Sequence, residues 1–202
     1  MDEGTFSKQL NRQESISSPI EKELFENLKK LHSTLDQAFL RQFDRSLPLN
    51  ETLLDRWERA KNLGFGENSS IYDSSLILGK VEVGKNCWIG PFTILDGSGG
   101  LKIGDFCTVS AGVHIYSHDN VKQTLSSGKL PIEREAVSIG SNVYIAPQVV
   151  IAKGVSIGNF CVIGTGAFVN KNIKDCQIVV GQPAKVIGEV IVSDSRIDFK
   201  YF

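Results

Sequence analysis

Isoleucine, valine or leucine recurs at every sixth position along much of this chain: at 71, 77, 83, 89 and 95, then 103, 109 and 115, then 139, 145, 151, 157, 163 and 169. A strand alternates its facing every second residue and a helix about every 3.6, so neither alone gives a strict period of six with a small residue four places on. Hexapeptide repeats do, each laying one short strand on a flat face of a β-helix whose coils stack. Three hexads make a coil, and rungs one coil apart pair at about 4.8 Å. Counting then assigns the faces. One carries Val83, Ile103, Ile139 and Ile157, each followed by a glycine that suits a corner with positive φ. A second carries Ile71, Ile89, Val109, Ile145 and Ile163, and the third Ile77, Leu95, Ile115, Ile151 and Val169.

Two interruptions break the count. The hexad at Leu95 is two residues too long, and its surplus, Asp96-Gly97-Ser98-Gly99-Gly100, reads as a tight loop. Between Asn120 and Ile139 there are 18 extra residues. As another coil they would turn Ser127 and Glu133 inward, so a loop protruding over residues 121–138 is predicted.

Upstream the period changes. Ser18, Pro19 and Glu21 form a capping-box pattern, and Ile20, Leu24, Leu28, Leu31 and Leu35 follow on one face, which predicts an amphipathic helix in need of a partner. Pro48 and Asn50 end one element and open another, in which Leu53, Leu54, Trp57, Ala60 and Leu63 lead to a Gly64 stop. The expected organisation is a disordered tail over 1–17, a helical hairpin over 18–66 packed on the first coils, a β-helix over 67–188, and a C-terminal tail over 189–202.

Composition narrows the function. A net charge of -1 in 202 residues gives no basic excess for nucleic acid or anionic lipid. The polar start of the chain offers no apolar run for a signal peptide or membrane span, so a cytoplasmic address is expected. Four cysteines without CxxC spacing argue against a zinc knuckle, and no metal is expected. Cys87, Cys107 and Cys161 take the fifth place of a hexad, where they read as reduced core residues.

Candidate chemistry gathers at one break. Of three histidines, His32 falls on the helix, while His114 and His118 flank Ile115. His118 lies three places past an inward residue, hence at an outer corner, and just before the long excursion. The count stacks the Asp96 segment one coil earlier and Lys153-Gly154 one coil later. A histidine with an ordinary pKa of ~6.5 is largely neutral at pH 7 and suited to take a proton.

Residues 71 to 188 resemble the hexapeptide-repeat acyltransferases. The likeness rests on Ile115-Tyr-Ser-His118-Asp-Asn before a loop, Ile139-Gly-Ser-Asn-Val-Tyr-Ile145, Ile163-Gly-Thr-Gly-Ala167, Val169-Asn-Lys171 and Gly181-Gln-Pro-Ala-Lys185. It is strongest to the sugar O-acetyltransferase branch that includes galactoside and maltose acetyltransferases. The resemblance implies a left-handed parallel β-helix, a homotrimer with inter-subunit active sites, acetyl-CoA as co-substrate and, as acceptor, a hydroxyl of a sugar or of a nucleotide-linked or polysaccharide precursor. It implies His118 as catalytic base, Asp96 as acceptor-binding carboxylate, Thr165 against the pantetheine arm, and Asn170, Lys171 and Lys185 near the phosphates. Pro147 replaces a residue whose N–H faces the thioester, which passes that expectation to Ala146, and Tyr144 stands where tryptophan is common. Rival readings are N-acetylation of an amino sugar and a non-catalytic β-helix scaffold.

Overall fold

The computed structural model describes residues 12–193 and 196–202. Of the expected disordered tail, residues 1–11 lie outside the described residues, and residues 12–15 form turns. The chain divides into two compact units, Met1–Leu53 and Leu54–Phe202.

In the first unit α1 runs from Pro19 to Phe43 with Pro19 in its first turn. Ser18 takes the N-cap backbone position, but its side chain makes no capping bond, so the expected capping box is not formed. The helix ends at Asp44, whose left-handed φ of 54° lets its N–H reach the Leu40 carbonyl. None of its residues is buried within the chain. The single second helix expected after Pro48 is two: α2 (Leu49–Leu53) and α3 (Arg56–Asn62). Asp55 explains the split, because its carboxylate accepts from the N–H groups of Trp57 and Glu58 and starts a new helix there.

The second unit is a left-handed parallel β-helix, an exception to the right-handed crossover rule for parallel strands. Every predicted face holds. Ile71, Ile89, Val109, Ile145 and Ile163 pair in order and continue to Val179. Ile77, Leu95, Ile115, Ile151 and Val169 do the same. Val83, Ile103, Ile139 and Ile157 follow, with Ile173 bridging to Ile157. Ile71, Ile89, Ile115, Ile145, Ile151 and Ile163 are wholly buried, each such side chain contributing about 1.5–3 kcal/mol of transfer free energy. At the N-terminal end α3 inserts Ala60 into this core, and Arg59 donates to the carbonyls of Tyr72 and Ser75.

The glycines after the first face are there for a different reason than expected. Gly84, Gly104, Gly140 and Gly158 lack positive φ; the left-handed residues are Asn86, Phe106, Asn142 and Phe160, two places on. Instead the corners stack too closely for a side chain: a Cβ on Gly104 would come within 2.7 Å of the Gly140 carbonyl carbon, and one on Gly140 within 2.8 Å of that of Gly158. Cys87, Cys107 and Cys161 are buried and unpaired, and their thiols donate to the carbonyls of Gly104, Gly140 and Lys174.

Three other expectations change. The Asp96-Gly100 surplus is a bulge inside a continuous strand, Ile94–Ile103, because pairing with Leu76–Val83 persists on both sides of it, Gly79 opposite Gly97 and Val81 opposite Leu101. The excursion is shorter and more ordered than a loop over 121–138. It contains α4 (Val121–Leu125), returns as Glu133–Arg134 antiparallel to His118–Asp119, and rejoins the coil at Val137, opposite Leu101. The expected tail over 189–202 belongs to an antiparallel hairpin, Lys185–Ser193 with Arg196–Tyr201, on the edge of the second face.

Candidate active site

The corner after the third face carries both interruptions, and there a carboxylate meets the histidine. His118 Nδ1 lies 2.6 Å from Asp96 Oδ2; Asp96 is wholly buried and the His118 side chain 33% exposed. The bulge brings Gly97 so close to the neighbouring strand that a Cβ would lie 2.0 Å from the Lys80 carbonyl oxygen, and the Ser98 N–H donates to Asp96 Oδ1 at 2.9 Å. The Ser117 N–H donates to Oδ2 at 2.8 Å. Burial pushes the Asp96 carboxyl up, but these bonds from Ser98, Ser117 and His118 outweigh it and hold the group well below the usual carboxylate range.

The tautomer follows from that. An ionised carboxylate only accepts, so Nδ1 of His118 carries a proton, and in the neutral ring Nε2 is then the nitrogen with the lone pair. His118 lines a cleft of about 460 Å³ together with Tyr116, Asn120, Ile132, Val150, Lys153 and Phe168, bounded on one side by the excursion. His114 is elsewhere on the face, its Nδ1 3.4 Å from the Tyr116 hydroxyl.

Of the residues expected to bind substrates, only some share this corner. Asn170 and Lys171 are exposed at the same corner further along the stack, past the rung that pairs Ile151 with Val169. Thr165 is exposed at the next corner, which also holds Ala146 and Pro147. Lys185 is exposed at the start of the C-terminal hairpin, just after Ala184, whose N–H donates to the Phe168 carbonyl. Two expectations need correction. Asp96 is not open to an acceptor, since it is buried and both oxygens are engaged. The Ala146 N–H is not free for a thioester: it donates to Ile163 O at 2.9 Å inside the ladder, and Pro147 has none to offer. Tyr144 lines a second cleft, of about 270 Å³, with Phe106, Phe160 and Phe199.

Two family models match the repeats: bacterial transferase hexapeptide (six repeats) over residues 136–171, and the hexapeptide repeat of succinyl-transferase over 80–117. Galactoside O-acetyltransferase of Escherichia coli K12 is 32% identical over 140 residues, 58% of this chain and 68% of that protein. The chain belongs to the hexapeptide-repeat acetyltransferase family. It is an acyltransferase. The family member maltose O-acetyltransferase from Clostridium difficile 630 matches in three dimensions with a TM-score of 0.56 and 26% identity, over 85% of this chain and 91% of that one. AntD, an N-acyltransferase from Bacillus cereus solved with dTDP and 3-hydroxybutyryl-CoA, matches with a TM-score of 0.56 over 66% of this chain and 89% of that one; at 23% identity it speaks for the fold alone. Of two further curated acetyltransferases the chain spans 40% and 56% of the length. Among the described residues no helix is long and apolar enough to cross a membrane, and no three His, Cys, Asp or Glu side chains form a metal-holding group.

Sequence counting missed the Asp96–His118 bond, its supports Ser98 and Ser117, and the carboxylates around Lys153. The register offered one signal for the first: Leu95 pairs with Ile115, so Asp96 and His118 leave neighbouring rungs at one corner.

Proposed function

We propose that the chain transfers an acetyl group from acetyl-CoA to a hydroxyl of a sugar or sugar-containing precursor, with His118 as general base in a ternary complex. The observation that carries this reading is the buried, ionised Asp96 bonded to Nδ1 of a histidine that lines a cleft. His118 Nε2 takes the acceptor hydroxyl's proton as that oxygen attacks the thioester carbonyl carbon. The C–S bond breaks, the departing sulfur takes the proton back from the imidazolium, and the products are the acetyl ester and free CoA. Asp96 keeps the base tautomer and stabilises the transient imidazolium, so it acts through His118 and not on the acceptor. No enzyme nucleophile is needed; three of the four cysteines are buried in the core, and Ser117 Oγ is wholly buried against Asp96.

Lys171 and Lys185, both exposed, offer two ammonium groups for the phosphates of CoA, with Asn170 beside them and Thr165 toward the pantetheine. Tyr144 and His118 lie on different faces, an arrangement that supports clefts completed between copies of a homotrimer; a monomeric mass by light scattering refutes that part. General-base catalysis is worth about 10²- to 10⁴-fold, so His118→Ala is expected to lower kcat by about that factor with acetyl-CoA affinity retained. Thiol release from acetyl-CoA, measured with a panel of sugars and amino sugars, tests both points. Full activity of His118→Ala removes the base assignment, and turnover of amino sugars alone moves the acceptor from a hydroxyl to an amine.

A further inference from the structure

One ammonium group sits among three carboxylates at the rim of the His118 cleft. Lys153 Nζ lies 2.5 Å from Glu135 Oε1, 3.1 Å from Glu133 Oε2 and 3.5 Å from Asp119 Oδ2, and its side chain is 17% exposed. Lys122 pairs with the other oxygen of Glu133. Two of the three N–H donors of the ammonium go to Glu135 and Glu133, and the charge of Asp119 faces it as well, so the group is engaged within the protein and not presented to a phosphate. The hydrogen bonds that Lys153 donates to Glu135 and Glu133 push its pKa up, so the group stays charged at neutral pH.

Lys153 and its three carboxylates come from three stretches of chain. Asp119 adjoins His118 on one arm of the antiparallel pair, Glu133 is on the other arm, and Glu135 lies where the excursion rejoins the coil. Lys153 belongs to the following coil. Besides the pairing of the two arms, the backbone ties between these pieces include Glu135 N–H to Ser117 O at 2.9 Å and Gly154 N–H to Glu135 O at 3.2 Å. Without Lys153, three carboxylates would crowd one another with Lys122 as their remaining lysine partner. The easiest relief is for the His118–Asp119 and Glu133–Arg134 pair to lift off the coil. The Asp96 bonds fix the ring of His118 and, through the Ser117 N–H, the backbone just before it, while on the far side Asp119 is tied to the next coil by its ion pair with Lys153.

We infer that Lys153 is a positioning residue for the transfer: it pins the excursion to the next coil and thereby holds the strand pair that carries His118. The inference rests on reading His118 as the base. Its test compares Lys153→Met, Lys153→Arg and Glu135→Gln with the intact full chain, by amide hydrogen exchange without ligand and by steady-state thiol release. Lys153→Met is expected to speed exchange at the Glu135 and Gly154 amides at least about tenfold. It should lower kcat about 10- to 100-fold, as misplacing a reacting group by about an ångström does, with KM for acetyl-CoA within about twofold. Arginine keeps the charge and should recover both to within about threefold. Glu135→Gln leaves the other two carboxylates on Lys153, so it remains informative if Lys153→Met fails to fold, and it should shift both readouts the same way by less. Unchanged exchange in Lys153→Met overturns the inference. So does faster exchange at unchanged kcat, or a raised KM at unchanged kcat. His118→Ala, run alongside, separates the two ideas: if it keeps full activity the base assignment fails, while the exchange data still report whether Lys153 pins the excursion.

Discussion

Replacing Asp96 with asparagine removes one charge and almost no volume from a site with no room for rearrangement. The side chain is wholly buried, with Oδ1 accepting from Ser98 N–H and Oδ2 from Ser117 N–H and His118 Nδ1. An asparagine oxygen turned toward Ser117 and His118 keeps two bonds and sets its NH₂ against the Ser98 N–H; the opposite orientation loses two. The first is favoured, and it leaves one buried backbone donor unpaired at a cost of about 1–3 kcal/mol. It also keeps the base tautomer, so the kinetic loss comes from the missing charge. Two unit charges about 4 Å apart interact by about 4 kcal/mol at an effective dielectric of 20, and partial exposure of the ring brings this to about 2–4 kcal/mol. That stabilisation exists only when the imidazolium forms, so kcat should fall about 30- to 1,000-fold with KM for acetyl-CoA nearly unchanged. The stability term carries a pH signature. A carboxyl whose folded pKa lies below its unfolded value of about 3.9 contributes its full stability above that value and loses it as pH falls toward the folded pKa. The gap in urea stability between the wild type and Asp96→Asn should therefore be largest at neutral pH and shrink at pH 3. Activity of Asp96→Asn within about threefold of wild type refutes the role given to the dyad, and a gap that does not shrink with acid refutes the ionised state.

The remaining predictions test the scaffold and the phosphate end. Ile145→Ala, wholly buried between Val109 and Ile163, should cost about 2–5 kcal/mol in urea unfolding. Gly104→Ala meets the Gly140 backbone at 2.7 Å, whereas Gly166→Ala meets nothing within 4 Å and bears only the strain of a φ of 67°. The first should therefore lower the melting temperature more than the second, although only the second has a left-handed backbone. Lys171→Ala with Lys185→Ala should raise KM for acetyl-CoA about tenfold or more while kcat holds, measured at low ionic strength where charge-assisted bonds are strongest.

The regular part of the fold was legible because its code is one-dimensional. Once Ile71 and Ile89 are known to stack, every later inward residue follows by counting, and all three faces paired as counted. What counting cannot supply is what an irregularity does in space. Asp96-Gly97-Ser98-Gly99-Gly100 has turn composition, but glycine suits close backbone approach as well as turning, and here the neighbouring strand kept its pairing and made the segment a bulge. The glycines after Val83 and Ile103 pose the same ambiguity between positive φ and crowding, and crowding decided it. The site sits across this boundary. His118 stands out in the sequence as a candidate because it follows an inward residue by three and precedes an excess of chain, both readable from spacing. Asp96 was placed at the right corner with the wrong task, since a carboxylate beside glycines reads as exposed until burial and the donors from Ser98, Ser117 and His118 are known. Lys153 escaped because its partners, Asp119, Glu133 and Glu135, lie in a segment whose return path no period describes. The chemistry proposed for this chain thus depends on residues brought together where the repeat fails, held in place by a repeat regular enough to be counted.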